Sequence, residues 1–274
     1  MFELTEENRA ELLALILKQY NYDFSDYASA SFFRRINRFI QLKMITDFST
    51  LINRITSEEN FFIDCLNELT VNYTEMFRDP GLFCILQEQI FPHFKSYPRL
   101  KIWSAGCSSG EEVFSLSILL HENNLLDKSR IYATDISTRM IQTAQQGIYP
   151  LLKFKDYAAN YLRAGGHYTL SHYYVTRNGL VQFSKFLSQN ATFTSHNLVS
   201  DQPFNTFQLI ICRNVLIYFN RELQERVVKL LADSLCLNGY LIIGSKETLY
   251  FSKHRHQFEL IDQDYKIYRK IYSI

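Results

Sequence analysis

The stretch RLKIWSAGCSSGEEVFSLSILL (residues 99–120) decides the fold. Residues 99–106 form a short β-rich run ending in Gly106, and Glu111–Asn123 reads as a helix. A strand passing through small residues into a helix is the opening unit of an open α/β sheet. The rhythm continues downstream. RIYATD (130–135) is a second strand, followed by a helix that Ser137 can cap, and FQLIICRN (207–214) is a near-continuous apolar strand, as a parallel sheet covered on both faces requires. Asn220 starts a helix with one apolar stripe of Leu223, Val227, Leu230, Leu231 and Leu235, and with Glu222 and Arg226 spaced to pair. Asn238-Gly239 closes that helix, and GYLIIGS (239–245) is another strand. Residues 155–190 break the pattern: GHYTLSHYYVTRNGLVQFSKF centres on Asn178-Gly179, a hairpin signal inside a small β excursion.

Working back from residue 99, the first 95 or so residues read as helical. Thr5 can cap a helix with Leu12, Leu13, Ile16 and Leu17 on one side, and residues 31–44 place Phe32, Ile36, Phe39 and Ile40 together. Arg34, Arg35 and Arg38 fall on the opposite face, a basic stripe that is either solvated or a docking surface for an acidic partner. The expected class is α/β: a doubly wound Rossmann-like sheet with an N-terminal all-helical domain and a small inserted antiparallel β subdomain. The expected division is a helical domain over 1–70, a linker helix over 71–98 contributing to the cofactor site, and the α/β domain over 99–274, with the insertion at about 160–190.

Composition narrows the function classes. With 29 Lys+Arg against 28 Asp+Glu the net charge is +1, which does not indicate a globally basic nucleic-acid binder. Nine Gly and five Pro in 274 residues exclude collagen-like and Gly- or Pro-rich low-complexity sequence. The five cysteines are widely spaced and lack zinc-ligand spacing, so they read as reduced thiols with no metal site. The N-terminus carries acids where a signal peptide carries bases, and no apolar run approaches the roughly 18 residues that span a bilayer, so a cytoplasmic protein is expected.

Gly106 and Gly110 bracket a loop of small residues that lets backbone N–H groups approach a ligand. The loop is not G-x-G-x-x-G. Glu111 and Glu112 would repel a pyrophosphate and favour a cationic ligand, although acids in a helix first turn are also favourable on their own. Asp135 ends the second strand, where an acid can accept hydrogen bonds from ribose hydroxyls. A nucleoside bearing positive charge in place of phosphates, S-adenosylmethionine, fits these demands. Arg213 and Asn214 follow four apolar residues at a carboxyl end of the sheet; Arg213 can pair with a carboxylate, and Tyr218 can direct its hydroxyl into the same crevice. In VNYTEMFRDPGLF (71–83), Asn72, Thr74 and Arg78 share roughly one side of a turn-to-helix element.

Taken together, the chain resembles the CheR family, the S-adenosylmethionine-dependent chemoreceptor glutamate methyltransferases. The likeness runs in order through NYTEMFRD, KIWSAGCSSGEEVFSLSILL, IYATDIS, the helix ending QQGIYP, SHNL, FQLIICRNVLIYFN and GYLIIGSKE. Family members often have Ala-Ser-Thr where this chain has Cys107-Ser108-Ser109, a change that keeps small side chains. The resemblance implies that Asn72, Thr74, Arg78, Glu112, Asp135, Asn197, Leu198, Arg213 and Asn214 contact the cofactor, with Gly106 in its loop. It further implies that Arg78 and Tyr218 border the methyl-transfer centre. The implied reaction is transfer of the methyl group to receptor glutamates, leaving S-adenosylhomocysteine. The implied partner is the cytoplasmic helices of a chemoreceptor, docked by Arg34, Arg35 and Arg38, with the enzyme a monomer. The inserted hairpin corresponds to a region that in some members binds a receptor's C-terminal peptide. Two alternatives stand beside this reading: the same fold methylating carboxylates of another sensory protein, and a non-catalytic cofactor-binding scaffold.

Overall fold

The computed structural model describes residues 2–20, 22–69 and 74–272. They divide into two compact units, one within residues 1–72 and 216–227 and the other within 73–215 and 228–274.

The first unit is helical: α1 (Glu6–Tyr20), α2 (Ser29–Leu42), α3 (Phe48–Ser57) and α4 (Glu59–Leu69). Side-chain caps start two of these helices. The Thr5 hydroxyl accepts the Asn8 N–H at 3.3 Å, and the Asp47 carboxylate accepts the Thr50 N–H at 2.8 Å. Leu12, Ile16, Phe32, Ile36, Phe39, Ile40, Leu51 and Ile55 form its core. Leu17 departs from expectation: it is 44% exposed, so the stripe of α1 is narrower than its sequence suggests. α2 stops at Leu42 because Met44 takes a left-handed conformation (φ 52°) that a continuing helix does not allow. Residues 216–227 join this unit through specific bonds. The Ala28 N–H donates to the Tyr218 carbonyl at 3.0 Å and the Asn220 N–H to the Asp26 carbonyl at 2.7 Å, while Tyr27 bridges Phe219. Arg226 pairs with Asp26 and not, as its spacing suggested, with Glu222.

The second unit holds α5 (Pro80–Ile85), a π-helical turn at Leu86–Ile90, and α6 (Phe91–Phe94), which lead into β1 (Leu100–Ala105). Then come α7 (Glu111–Glu122), β2 (Ser129–Asp135), α8 (Thr138–Gln146), β3 (Ile148–Pro150), α9 (Phe154–Arg163), β4 (Tyr174–Arg177), β5 (Leu180–Phe183), β6 (Ala191–Ser195) and β7 (Phe207–Cys212). α10 (Arg221–Asp233) begins in the helical unit and ends in this one; β8 (Leu235–Ile243), β9 (Phe258–Asp262) and β10 (Ile267–Lys270) follow. Seven strands form one sheet in the order β6-β2-β1-β7-β8-β10-β9. The first five are parallel, and β10 runs antiparallel to both its neighbours. The chain moves outward from β1 through β2 to β6 on one side and through β7 to β8 on the other. The order therefore reverses between β1 and β7, the point at whose carboxyl edge open sheets bind ligands.

Three local expectations change. β7 ends at Cys212, because Asn214 turns left-handed (φ 61°) and Arg213 leaves the ladder with it. α10 ends at Asp233, so Leu235 is a strand residue, and Asn238 (φ 60°) with Gly239 forms an irregularity inside β8, between the Phe207–Leu235 and Leu209–Tyr240 pairs. The small sheet, in the order β3-β5-β4, reaches back to residues 148–150, and residues 154–163 are helical because Phe154, Tyr157 and Tyr161 bury one helix face. Asn178 (φ 52°) and Gly179 (φ 73°) make the two-residue turn that joins β4 to β5. All five cysteines are free.

Candidate functional site at the carboxyl edge of the sheet

The turn after β1 is fastened to β2. The Gly106 and Cys107 N–H groups both donate to the Thr134 carbonyl, at 2.8 and 2.9 Å. Gly106 has φ +76°, and a Cβ there would meet Val215 Cγ2 at 2.6 Å, so the position admits glycine for both conformation and space. One residue on, Ser108 (φ 49°) gives its N–H to Asp135 Oδ2 at 2.8 Å, while Ser137 N–H donates to Oδ1 at 2.9 Å. Burial pushes the Asp135 carboxyl above the usual range and these backbone bonds oppose the shift. The Ile136 backbone N–H also bonds this carboxylate, which has about four lone-pair sites, so little more than one remains for a ligand hydroxyl. The Ser108 hydroxyl is buried without a hydrogen-bond partner, as a loop shaped for a ligand would leave it.

The two acids that open α7 behave differently. Glu111 is 2% exposed and accepts the Ser109 hydroxyl at 2.7 Å, and its burial raises its pKa. Glu112 accepts the Ser104 hydroxyl at 3.1 Å and faces Arg213, with Nη1 to Oε2 at 3.4 Å. The Arg213 side chain is 5% exposed; it also donates to the Arg78 carbonyl at 3.2 Å and pairs with the Asp79 carboxylate. One guanidinium thus ties the end of β7 to the start of α7 and to the segment before α5. A planar donor fork suits this task better than an ammonium would.

Arg78 stands between two left-handed residues, Phe77 (φ 52°) and Asp79 (φ 58°), in a kinked segment pinned to α7 by the Phe77 N–H donating to Ser115 Oγ at 2.9 Å. Non-glycine residues in this conformation cost on the order of 1 kcal/mol each and persist where the surroundings over-determine them. Thr74 is half-buried beside this kink in sequence; Asn72 lies outside the described residues. Asn214 donates its backbone N–H to Glu247 Oε2 at 3.1 Å, and the same oxygen accepts the Gly244 N–H. A Cβ on Gly244 would sit 2.8 Å from that oxygen and 2.9 Å from Asn214 N, so the ends of β7 and β8 meet closely around one buried carboxylate. Asn197 and Leu198 follow β6, whose last residue Ser195 pairs with Asp135; Asn197 Oδ1 accepts the Val199 N–H at 3.0 Å.

Gly106, Glu112, Asp135, Arg213 and Asn214 are therefore brought to one edge of one sheet. Asp79 and Glu247 were not singled out from sequence, although both lie inside the quoted stretches NYTEMFRD and GYLIIGSKE. The available signals were an acid directly before a proline and an acid shortly after a strand-ending glycine.

Tyr218 belongs to the helical unit, where the Arg35 guanidinium lies 5.4 Å from its ring centroid. Arg35 Nη1 also donates to the Glu68 carbonyl at 3.4 Å, and Arg38 Nε pairs with the Glu68 carboxylate at 3.2 Å. Of the basic stripe, Arg34 and Arg38 are exposed, Arg38 with its ion pair to Glu68, and Arg35 is half-buried.

In chemical terms the edge offers an acid for vicinal hydroxyls, an acid for an ammonium, and a guanidinium for a carboxylate. That set matches S-adenosylmethionine part by part. No group of three or more metal-ligating side chains occurs among the described residues, and none of their helices is long and apolar enough to cross a membrane.

Comparison with known proteins gives a consistent result. The family pattern described as "CheR methyltransferase, SAM binding domain" matches residues 72–267, and "CheR methyltransferase, all-alpha domain" matches residues 8–70. Cher3 of Pseudomonas putida is 40% identical over 259 residues, which cover 94% of this chain and 95% of that protein. Proteins named chemotaxis protein methyltransferase are 26% identical in Borreliella burgdorferi, over 92% of this chain and 91% of theirs, and 28% identical in Salmonella typhimurium, over 95% and 89%.

Proposed function

Because the chain belongs to the CheR methyltransferase family, we propose that it is a protein-glutamate O-methyltransferase acting on the cytoplasmic helices of a chemoreceptor. Its cofactor is S-adenosylmethionine, in keeping with the SAM-binding domain that spans residues 72–267. The observation that carries the reading is the Glu112–Arg213 pair beside the buried Asp135, at the point where the strand order reverses.

The residues fit the cofactor in the following way. Asp135 keeps acceptor capacity for the ribose hydroxyls, Glu112 suits the ammonium, and Arg213 suits the carboxylate. Asn214, Asn197, Leu198, Thr74 and Asn72 are assigned to the same site by family likeness. When bound, S-adenosylmethionine supplies an electrophilic methyl group on a sulfonium. The acceptor glutamate has a reference pKa near 4.3 and is already ionised at neutral pH, so no strong base is required of the protein. Its contribution is then positioning, for which well-oriented reactants can gain roughly 7–11 kcal/mol at the upper end. Arg78, held by its kinked segment, is proposed to orient the incoming carboxylate. Tyr218, whose ring Arg35 holds within the helical unit, is proposed to present its hydroxyl to the acceptor. Both would weaken the nucleophile if they bound it too strongly, so their service is geometry.

Docking of the acidic receptor helix is assigned to the stripe of Arg34, Arg35 and Arg38. Arg34 and Arg38 are exposed, and Arg38 has only a surface ion pair to lose, so their charge reversal is expected to raise the receptor KM with little effect on stability.

Labelled methyl transfer from S-adenosylmethionine to a purified receptor fragment, followed by mild base, tests the reading. A base-labile methyl ester is expected. A base-stable product would refute carboxyl methylation, and a wild-type protein that binds S-adenosylhomocysteine yet transfers nothing would favour the scaffold reading.

A further inference from the structure

The connection from β8 to β9, residues 244–257, crosses β10 to reach the edge of the sheet with no α-helix, only a 3-10 turn at Arg255–Gln257. Crossovers between parallel strands usually run through a helix, and long irregular connections in compact domains are uncommon unless they serve function. This one leaves the sheet at the ligand-binding edge, where Glu247 braces the backbone of Asn214.

The loop is anchored and internally bonded. Leu249 is fully buried and Gln257 is 2% exposed. The Ser252 N–H donates to the Leu249 carbonyl at 2.9 Å, and the Tyr250 N–H to Thr248 Oγ1 at 3.1 Å. Between the anchors the chain turns two adjacent aromatics outward: Tyr250 is 73% and Phe251 67% exposed, with their rings edge to face at 5.0 Å. Lys246, Lys253 and His256 are exposed around them. Glu247, the one acid in the connection, is 4% exposed and turned inward onto backbone N–H groups.

We propose that this loop docks an acidic segment of the protein whose glutamates receive the methyl group. The proposal rests on the function reading above and extends it by naming a second contact region for the acceptor. A segment that presents glutamates to the site carries further carboxylates beside the target, which Lys246 and Lys253 complement. Its apolar side chains cover the Tyr250–Phe251 pair. Such an arrangement, an aromatic centre with a charged rim, is the usual anatomy of a protein-binding patch.

The test uses the full chain and two double variants, Tyr250→Ser with Phe251→Ser, and Lys246→Glu with Lys253→Glu. Methyl transfer to a purified receptor cytoplasmic fragment is followed as kcat and KM, and S-adenosylhomocysteine affinity is measured by calorimetry. Each variant is expected to raise the receptor KM by about tenfold while leaving S-adenosylhomocysteine affinity within about twofold of wild type. The charge reversal is also expected to flatten the dependence of KM on salt. These side chains are exposed, so thermal midpoints should stay close to wild type. An unchanged KM in both variants overturns the loop proposal and leaves the function reading standing. Loss of S-adenosylhomocysteine binding in both assigns the loop to the cofactor and also overturns it. If the wild-type chain forms no methyl ester on the fragment, the function reading fails and the loop proposal fails with it.

Discussion

Arg213 is buried among acceptors: the Glu112 and Asp79 carboxylates and the Arg78 carbonyl. Truncating it leaves Glu112 without its partner in a largely buried setting, for which losses of about 3–5 kcal/mol are typical. Asp79 is 39% exposed, and solvent can compensate that half of the loss. Arg213→Ala is therefore expected to lower stability by about 2–3 kcal/mol and to abolish detectable S-adenosylhomocysteine binding. Denaturant unfolding and calorimetry check the two effects separately. Asp135 supplies a pH signature. Burial raises its pKa, so it protonates at higher pH than an ordinary aspartate as the medium is acidified. In stability terms the folded state favours the protonated form; the cost of holding the carboxylate is greatest above the raised pKa and is relieved as pH falls through it. With Asp135 in its proposed place at the ribose hydroxyls, cofactor affinity moves the other way, because a protonated carboxyl accepts hydrogen bonds more weakly. S-adenosylhomocysteine affinity is expected to fall on acidification at a higher pH than the titration of an ordinary aspartate would cause, and Asp135→Asn should bind weakly with a flatter profile. An Asn variant as pH-sensitive as wild type would move the effect elsewhere.

At the scale of elements, the decisive join is between the carboxyl ends of β7 and β8. One oxygen of Glu247 accepts from Asn214 and Gly244, and the left-handed Asn214 is held in place by that bond. Glu247→Gln keeps an oxygen able to accept both N–H groups, whereas Glu247→Ala leaves two buried donors unsatisfied at about 1–3 kcal/mol each. The Ala variant should lose cofactor affinity by about tenfold or more while the Gln variant recovers most of it. Equal loss in both would mean that the charge, and not the hydrogen bonds, is what the site uses. Gly244→Ala tests the same join from the other side, since its Cβ would fall within 3 Å of Glu247 and Asn214. Its effect on affinity should match that of Glu247→Ala.

At the scale of the whole molecule, the chain's two units are not consecutive in sequence, because residues 216–227 belong with the N-terminal helices. Phe219 and Leu223 are buried in the intact chain, and Asp26 bonds both Asn220 and Arg226. Removing residues 1–72 strips this segment of those partners. The truncated chain is expected to expose apolar surface, bind a hydrophobic dye and unfold with reduced cooperativity; a sharp unfolding transition without dye binding would show that 216–227 holds its shape alone.

The sequence by itself determined the class of the fold, the alternation of β1, β2, β7 and β8 with the helices α7, α8 and α10, the turn at Asn178-Gly179, and the loop of small residues after β1. These are encoded in periodicity, capping and turn chemistry, all of which act over a few residues. It also placed Glu112, Asp135, Arg213 and Asn214 at the ends of their elements, because polar residues just beyond apolar runs are legible as edge positions. Tertiary structure alone decided the rest. The Asp79–Arg213 pair joins residues 134 positions apart, and the bond between Asn214 and Glu247 depends on two strands stopping level with one another. The early end of α10, the pairing of Arg226 with Asp26 and the engagement of Arg35 beneath Tyr218 likewise follow from register and burial. Local spacing cannot specify such contacts, because each partner is chosen by where the packed elements bring the chain together.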